Sequence, residues 1–178
     1  MTPMLESDRL LCVPLSLAHL SQEYVDWLNN PVISKYLDTG GNYTLETLRN
    51  YLSEAEKKDI LFWAIHLKIN NKPIGNIKID PVNLKHGWGE YGIMMGDMDQ
   101  WGKGYAFEAS SVIINYCFQT LNLRKINLGV IEENVKAVDL YKRLGFTIEG
   151  VFKDHIYHDG KYLNSLRMAL FNLRFTNS

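Results

Sequence analysis

The hydrophobic positions in the first third of the chain change from a strand-like pattern to a helical one. Residues 9–15, RLLCVPL, are mostly apolar and predict a first strand. Over residues 17–29 the apolar side chains recur every three or four positions, which predicts an amphipathic helix. Thr44 is of a residue type that caps helices, and we expect a second helix from there to about Lys58.

An alternating pattern in the middle of the chain predicts three consecutive strands. Every second residue of LFWAIHLKI, residues 61–69, is apolar, which is the spacing of a strand. A polar turn at residues 70–72 joins it to PIGNIKID, residues 73–80, which makes a hairpin. After a second turn at residues 83–87, the segment GEYGIMMG, residues 89–96, adds a third strand.

Helices and strands alternate in the second half of the chain. The predicted elements are a helix after residue 104, a strand at 124–131, a helix at 134–144 that Gly145 ends, and strands at 146–152 and 162–171. This order predicts an α/β (α+β) fold, in which helices flank a mixed sheet. Because no repeat, low-complexity segment or linker interrupts the pattern, residues 1–178 are assigned to a single domain.

Composition narrows the classes of protein that fit this pattern. The 178 residues are 46% hydrophobic, which is enough for a sizeable core. The 19 Lys and Arg residues balance 20 Asp and Glu residues, so charge gives no reason to expect a nucleic acid or membrane partner. The N-terminal segment MTPMLESDRL lacks the features of a signal peptide, and we expect a cytoplasmic protein. Cys12 and Cys117 lie in apolar surroundings and are expected to be buried free thiols.

The segment QWGKGYAFEA, residues 100–109, places two glycines directly before a predicted helix. Glycine weakens a helix, so Gly102 and Gly104 need a structural or functional reason. Unpaired amides and the helix dipole make such a position suitable for an anion such as phosphate. A tight turn from strand to helix, with Lys103 in solvent, explains the same residues equally well.

Three motifs follow one another along the second half of the chain. They are GEYG at 89–92, WGKGYA at 101–106 and ENVKAVDLYKRLGF at 133–146. Together they resemble the GNAT superfamily of acetyl-CoA-dependent N-acetyltransferases. The resemblance implies a mixed, mostly antiparallel central sheet flanked by about four helices. Trp101 stands where the general family pattern has Arg or Gln. A tryptophan at this position is similar to the branch that contains ribosomal-protein-alanine acetyltransferases and small-amine enzymes.

The resemblance implies acetyl-CoA as co-substrate and assigns three groups of residues to it, with no metal. The loop would cradle the pyrophosphate, and its residues are Trp101, Gly102, Lys103, Gly104, Tyr105 and Ala106. The backbone of Ile93, Met94 and Met95 would pair with the pantetheine arm, although these residues also suit the core. Asn134 would contact the same arm, and a helix N-cap is its alternative role.

The resemblance also assigns two catalytic residues for direct acetyl transfer to an amine. Glu90 is the candidate base that removes a proton from the amine, directly or through water. A surface or hairpin carboxylate is the alternative for Glu90. Tyr141 is the candidate acid, since it matches the tyrosine of the family motif and a phenol is neutral at pH 7. Its alternative role is that of one more core aromatic residue.

The acceptor is expected to be a small-molecule amine, with a nucleotide-linked amino sugar as the leading hypothesis. Protein N-termini and polyamines are alternative acceptors. A further hypothesis is that the chain is no enzyme but a module that binds acetyl-CoA without catalysis. We expect the acceptor site where the first two helices meet the strand end near Glu90. Tyr36, Tyr43 and Trp27 would offer stacking surface there, while Asp38 and Glu46 would supply two carboxylates, which is few for a polyamine. A homodimer is compatible with the resemblance.

Overall fold

The computed structural model describes residues 2–37, 41–58, 60–158 and 160–175. These residues form eight strands: β1 (Leu5–Glu6), β2 (Leu10–Pro14), β3 (Leu61–Leu67), β4 (Pro73–Asn83), β5 (Trp88–Met95), β6 (Lys125–Ile131), β7 (Thr147–His158) and β8 (Lys161–Phe171). They also form five α-helices: α1 (Gln22–Asn29), α2 (Pro31–Ser34), α3 (Leu45–Lys57), α4 (Tyr105–Gln119) and α5 (Val135–Arg143). Single 3-10 turns occur at Leu17–His19, Met98–Gln100 and Leu173–Phe175.

The strands form one sheet in the order β1-β2-β3-β4-β5-β6-β8-β7. Antiparallel pairs join β1 to β2, β2 to β3, β3 to β4, β6 to β8 and β7 to β8. The pair of β5 and β6 is parallel. The expected mixed, mostly antiparallel sheet with flanking helices is therefore confirmed.

Contacts divide the chain into two compact units, and each unit combines two separate stretches of sequence. The first unit is Met1–Asp80 with Gly92–Val112, and the second is Pro81–Tyr91 with Ile113–Ser178. The assignment of the whole chain to one domain stays a prediction. None of the described helices is both long and apolar enough to cross a membrane.

Each unit has its own hydrophobic core. In the first, α1 and α3 bury apolar side chains in a cluster that includes Trp27, Leu48, Phe62 and Met94. In the second, β6 buries every second residue over most of its length, as the period of a strand predicts, whereas β8 buries residues on both faces, among them Ser165, Leu166, Met168 and Ala169. Cys12 and Cys117 are buried free thiols, as expected, and burial raises the pKa of each to about 12. Neither thiol is a reactive nucleophile at neutral pH.

The helix expected over residues 17–29 is wrong as a continuous element. The chain makes a 3-10 turn at Leu17–His19, becomes extended at Leu20, and starts α1 at Gln22. The break occurs because two serines cap two separate helical segments: the Ser16 hydroxyl accepts from the Ala18 amide, and the Ser21 hydroxyl accepts from the Tyr24 amide. Apolar spacing alone does not reveal a cap inside a helical pattern.

The other elements agree in type with the expectations and differ mainly in length. The capped second helix is α3, and Thr44 caps its N-terminus in a capping box with Thr47. The last two strands are longer than expected and pair as the hairpin of β7 and β8, with shifts of register inside it. The short strand β1 and the single-turn helix α2, which Asn30 caps and Pro31 begins, were not expected.

The end of β5 is fixed by a close approach at Gly96. The amides of Gly96 and Asp97 both donate to the carbonyl of Ile74, at 2.9 and 3.1 Å. A Cβ atom on Gly96 would collide with ring carbons of Trp27. Trp27 is only 8% exposed, so it packs in the core and offers no stacking surface to an acceptor. The expectation that Trp27 would line the acceptor site is therefore wrong.

A second contact holds the segment that follows Gly96. The buried Asp97 carboxylate accepts from Lys72 Nζ at 2.7 Å and from the Asp99 amide at 3.1 Å, and Glu23 lies 3.7 Å from the same Nζ. Burial opposes ionisation of Asp97, but Lys72, the Asp99 amide and Gln100 outweigh it, so the pKa of Asp97 is lowered. The hydrogen bond to Asp97 raises the pKa of Lys72 in turn. The turn at Met98–Gln100 is thus anchored to β4 and to its neighbouring loop.

We expect Gly96→Ala to lower the free energy of unfolding by about 1–3 kcal/mol, because the new methyl group meets the buried ring of Trp27, which must shift. Gly150→Ala is the matched control, since a Cβ on Gly150 has no heavy atom within 4 Å. Urea unfolding of the two variants provides the measurement. Equal stabilities would contradict the close approach at Trp27.

We expect Lys72→Met to lower the free energy of unfolding at pH 7 by about 1 kcal/mol, a value reduced for the partial exposure of Lys72. The Asp97 pKa is depressed in the folded state, so this stabilisation is present above the ordinary Asp pKa of about 3.9 and disappears as pH falls through the folded value. The difference between wild type and variant should therefore shrink from pH 7 to pH 3. Lys57→Met, which breaks an exposed pair with Glu54, serves as the control. A difference that stays constant with pH would show that Lys72 acts through packing alone.

Candidate active site

The loop between β5 and α4 presents a run of unpaired backbone amides. Gly102 and Gly104 have φ angles of 76° and 83°, in the left-handed region that glycine tolerates. The amides of residues 102–106 donate no hydrogen bond to any residue that the structure describes. Five such donors at the start of a helix, where its dipole is positive, form a concavity suited to an anion.

The two large side chains of this loop are directed to protein partners. The indole Nε1–H of Trp101 donates to the carbonyl of Met95 at 3.0 Å, and Lys103 Nζ donates to Gln100 Oε1 at 3.0 Å. Trp101 therefore ties the loop to the end of β5. Direct contact of Trp101 or Lys103 with a cofactor stays a prediction, as do the assignments of Tyr105 and Ala106.

The three β5 residues predicted to meet the pantetheine arm differ in burial. Met94 is buried in the core of the first unit, whereas Ile93 and Met95 are partly exposed. The parallel ladder of β5 and β6 runs from Trp88 with Lys125 to Glu90 with Asn127, and β5 continues beyond it to Met95. A strand that continues past its ladder is suited to pairing with an extended ligand. That pairing stays a prediction.

Glu90 takes part in an ion pair within the second unit. Arg167 Nη2 lies 2.7 Å from Glu90 Oε1 and 2.8 Å from Oε2. Arg167 comes from β8, and it lies opposite Gly129 in the ladder of β6 and β8. A Cβ on Gly129 would lie 2.8 Å from Arg167 Nη1, so the missing side chain leaves room for the guanidinium. To act as a base, Glu90 would have to share this contact with water or substrate.

Tyr141 is buried at 7% exposure on α5, among aromatic rings. Its ring centroid lies 5.8 Å from that of Tyr91, in an edge-to-face arrangement, and 5.9 Å from that of Phe146. Burial raises the pKa of Tyr141 to about 12, which keeps the phenol protonated at neutral pH. Among the described residues, none forms a hydrogen bond with its hydroxyl. Both expected roles, proton donor and core aromatic, are compatible with these contacts.

Asn134 caps α5. Its Oδ1 accepts from the amide of Ala137 at 3.3 Å, and its own amide donates to the carbonyl of Ile131. The alternative role of N-cap is therefore present in the structure. The side-chain amide nitrogen has no hydrogen-bond partner among the described residues, and its contact with the pantetheine arm stays a prediction.

A cavity of about 310 Å³ in the first unit lies beside the start of α3. Its lining residues are Asn42, Tyr43, Thr47 and Tyr51. Asn29 holds Tyr43 in place, since its side chain donates to the Tyr43 carbonyl at 2.8 Å and accepts from the Tyr43 amide at 2.7 Å. Of the expected acceptor-site residues, Tyr43 lines this cavity and Tyr36 does not. Asp38 lies outside the described residues.

Two residues that support the loop were not expected from the sequence. They are Lys72, which binds Asp97, and Arg9, which binds the first turn of α4. Each partner lies tens of positions away in the chain, and neither residue belongs to a motif or to a hydrophobic period. No signal in a single sequence singles out either cation.

The chain is similar to two curated enzymes of Escherichia coli (strain K12). It is 32% identical to spermidine N(1)-acetyltransferase over 109 residues, which are 61% of this chain and 58% of that protein. It is 36% identical to [ribosomal protein uS5]-alanine N-acetyltransferase over 69 residues, which are 39% of this chain and 36% of that protein. The matched segments thus span less than two thirds of either enzyme.

Structural and family comparisons extend the likeness over more of the chain. A crystal structure of spermidine N-acetyltransferase from Vibrio cholerae, in complex with CoA and spermine, has a TM-score of 0.85 and 25% identity to this chain. That similarity covers 93% of this chain and 97% of the other. The family model of the acetyltransferase (GNAT) domain matches residues 9–147. The chain therefore belongs to the GNAT acetyltransferase domain family.

Proposed function

We propose that this chain transfers the acetyl group of acetyl-CoA to a primary amine of a polyamine such as spermidine. The observation that carries the proposal is the run of five unpaired amides at residues 102–106, in a chain that belongs to the GNAT family. Such a run gives a pyrophosphate several donors at once, and the glycines keep side chains away from it.

The residues of the chain fit acetyl-CoA. The amides of residues 102–106 would hold the pyrophosphate, and the backbone of residues 93–95 would hold the pantetheine arm. Bound acetyl-CoA supplies the acetyl group as a thioester, whose sulfur needs a proton when it leaves.

Two side chains are proposed to move protons in this reaction. An alkylamine has a pKa on the order of 10, so it is mostly protonated at pH 7 and must lose a proton before it attacks. Glu90 would accept that proton, directly or through water. Tyr141 would donate its phenolic proton to the departing sulfur, and its raised pKa, about 12, keeps that proton available at neutral pH.

Relatives and local chemistry favour a polyamine as the acceptor. The spermidine acetyltransferase resembles a longer part of this chain than the uS5-alanine enzyme does, 109 against 69 residues. The cavity lined by Tyr43 and Tyr51 presents aromatic side chains, which attract alkylammonium groups. The amino-sugar hypothesis has no support among the relatives. Protein N-terminal acetylation is the second candidate, because the chain is also similar to the uS5-alanine enzyme.

The cytoplasmic location and the homodimer stay predictions.

We expect spermidine to be acetylated with a kcat/KM at least tenfold above that of a nucleotide-linked amino sugar or a short peptide that begins with Ala. Release of the CoA thiol in a panel of these amines is the measurement. A peptide that exceeded spermidine would replace the proposal with N-terminal acetylation. Binding of CoA by calorimetry without release on any amine would favour a binding module.

We expect Tyr141→Phe to bind CoA as the wild type does and to lose turnover by roughly 10², because a positioned proton donor is removed. Turnover at saturating substrates is the measurement, with folding checked by thermal melting. Tyr162→Phe is the matched control, since it removes an exposed phenol from the same unit. Wild-type turnover in Tyr141→Phe would leave Tyr141 as a core residue.

A further inference from the structure

We propose that Arg9 is a positioning residue that fixes the loop of residues 102–106 in the shape that receives the pyrophosphate. This inference rests on the proposed use of acetyl-CoA. Arg9 directly precedes β2 and lies outside the three motifs at 89–92, 101–106 and 133–146 that carry the family resemblance. All its partners described below lie in the first unit.

The guanidinium of Arg9 binds the first turn of α4 through Glu108. Arg9 Nε donates to Glu108 Oε2 at 2.7 Å, and Nη2 lies 2.6 Å from the same oxygen. The Arg9 amide and the Ser7 hydroxyl donate to Oε1 at 2.9 and 2.7 Å. Both carboxylate oxygens of Glu108 are therefore occupied, and the segment before β2 is joined to the start of α4.

The same guanidinium contacts Lys103 and Tyr105 and lies beside the intervening Gly104. Arg9 Nη1 donates to the carbonyl of Lys103 at 3.1 Å. The guanidinium carbon lies 4.4 Å from the centroid of the Tyr105 ring, which is a cation–π distance. A Cβ on Gly104 would lie 3.5 Å from Arg9 Nη2, so the guanidinium passes directly over this glycine.

The hydrogen bond to Lys103 sets the direction of one amide. In a trans peptide the carbonyl and the next amide point to opposite sides, so a Lys103 carbonyl held towards Arg9 directs the Gly104 amide away from it. The glycines at φ 76° and 83° make the neighbouring torsions permissive. Without the clamp this peptide can rotate, and the amide run loses its preorganised shape. Preorganised donors bind an anion more tightly because less entropy is lost on binding.

Arg9 also balances the charge next to the amide run. Burial opposes ionisation of Glu108, but hydrogen bonds from Ser7 and from Arg9 outweigh it and lower the Glu108 pKa. Glu108 is thus a carboxylate in the first helical turn at neutral pH, and Arg9 neutralises it. A lysine at this position would keep the charge, but its single ammonium group has no planar fork to reach Glu108 and the Lys103 carbonyl together.

The test compares Arg9→Met and Arg9→Lys with wild type, using two acetyl donors. Acetyl-CoA carries the pyrophosphate, whereas S-acetylpantetheine lacks it. We expect Arg9→Met to lower kcat/KM for acetyl-CoA by at least tenfold, and to leave kcat/KM for S-acetylpantetheine and KM for spermidine within twofold of wild type. Arg9→Lys should restore less than half of the fall in the logarithm of kcat/KM for acetyl-CoA that Arg9→Met causes. The Kd of CoA should rise in parallel for both variants.

Lys68→Met is the matched control. Lys68 pairs with Glu6 of β1 at 3.0 Å, so its loss weakens an N-terminal ion pair without touching the loop. It should leave the Kd of CoA unchanged, and melting curves should show all variants folded at the assay temperature. If Arg9→Met is not folded there, Arg9→Lys carries the comparison by itself.

Equal losses with both donors would overturn the proposal, because a general disturbance does not depend on the pyrophosphate. Unchanged binding of CoA by a folded Arg9 variant would also overturn it and leave the proposed function intact. Failure of the wild-type chain to bind CoA would instead overturn the proposed function, and the role of Arg9 with it.

Discussion

A run of unpaired amides has no internal hydrogen bonds to hold its shape, and this constraint governs the loop between β5 and α4. Its conformation must be imposed by neighbouring parts of the first unit. Gly96 packs against Trp27, Asp97 is bound by Lys72, and Trp101 bonds to Met95. Arg9 holds the far end through Glu108 and Lys103. Anchors on both sides thus leave the amides of residues 102–106 free for a ligand.

The sequence predicts the local part of this arrangement well. Glycines before an apolar helical stripe indicate an open loop at a helix start, because a left-handed backbone at residues 102 and 104 requires glycine. Alternation and three- to four-residue spacing locate most of the strands and helices, although they miss β1 and α2 and end β7 too early. The prediction fails at residues 17–29, where the Ser21 cap interrupts an otherwise helical pattern. Local hydrogen bonds of single polar side chains there outweigh hydrophobic periodicity.

Long-range pairs of charged side chains lie beyond such prediction. Arg9 and Glu108 are 99 positions apart, and Arg167 and Glu90 are 77 positions apart. Neither pair leaves a periodic trace, since each is created when elements that are distant in sequence pack together. The pair at Glu90 also occupies the carboxylate of a residue that the family motif predicts as a base. A motif identifies the residue, but only the fold supplies the neighbour that its carboxylate must release or share.

The acceptor is harder to predict than the co-substrate for the same physical reason. A pyrophosphate is bound mainly by backbone amides, and the glycines that permit this are visible in the sequence. An amine is bound by side chains whose positions depend on packing, and a count of carboxylates such as Glu46 does not reveal which of them face the ligand. Trp27 illustrates the point: an indole ring suits a stacking surface, yet Trp27 packs against Gly96 and is buried in the core. In the proposed function, specificity for an amine would therefore depend on tertiary contacts such as those around the cavity lined by Tyr43 and Tyr51, whose aromatic rings can attract a cation.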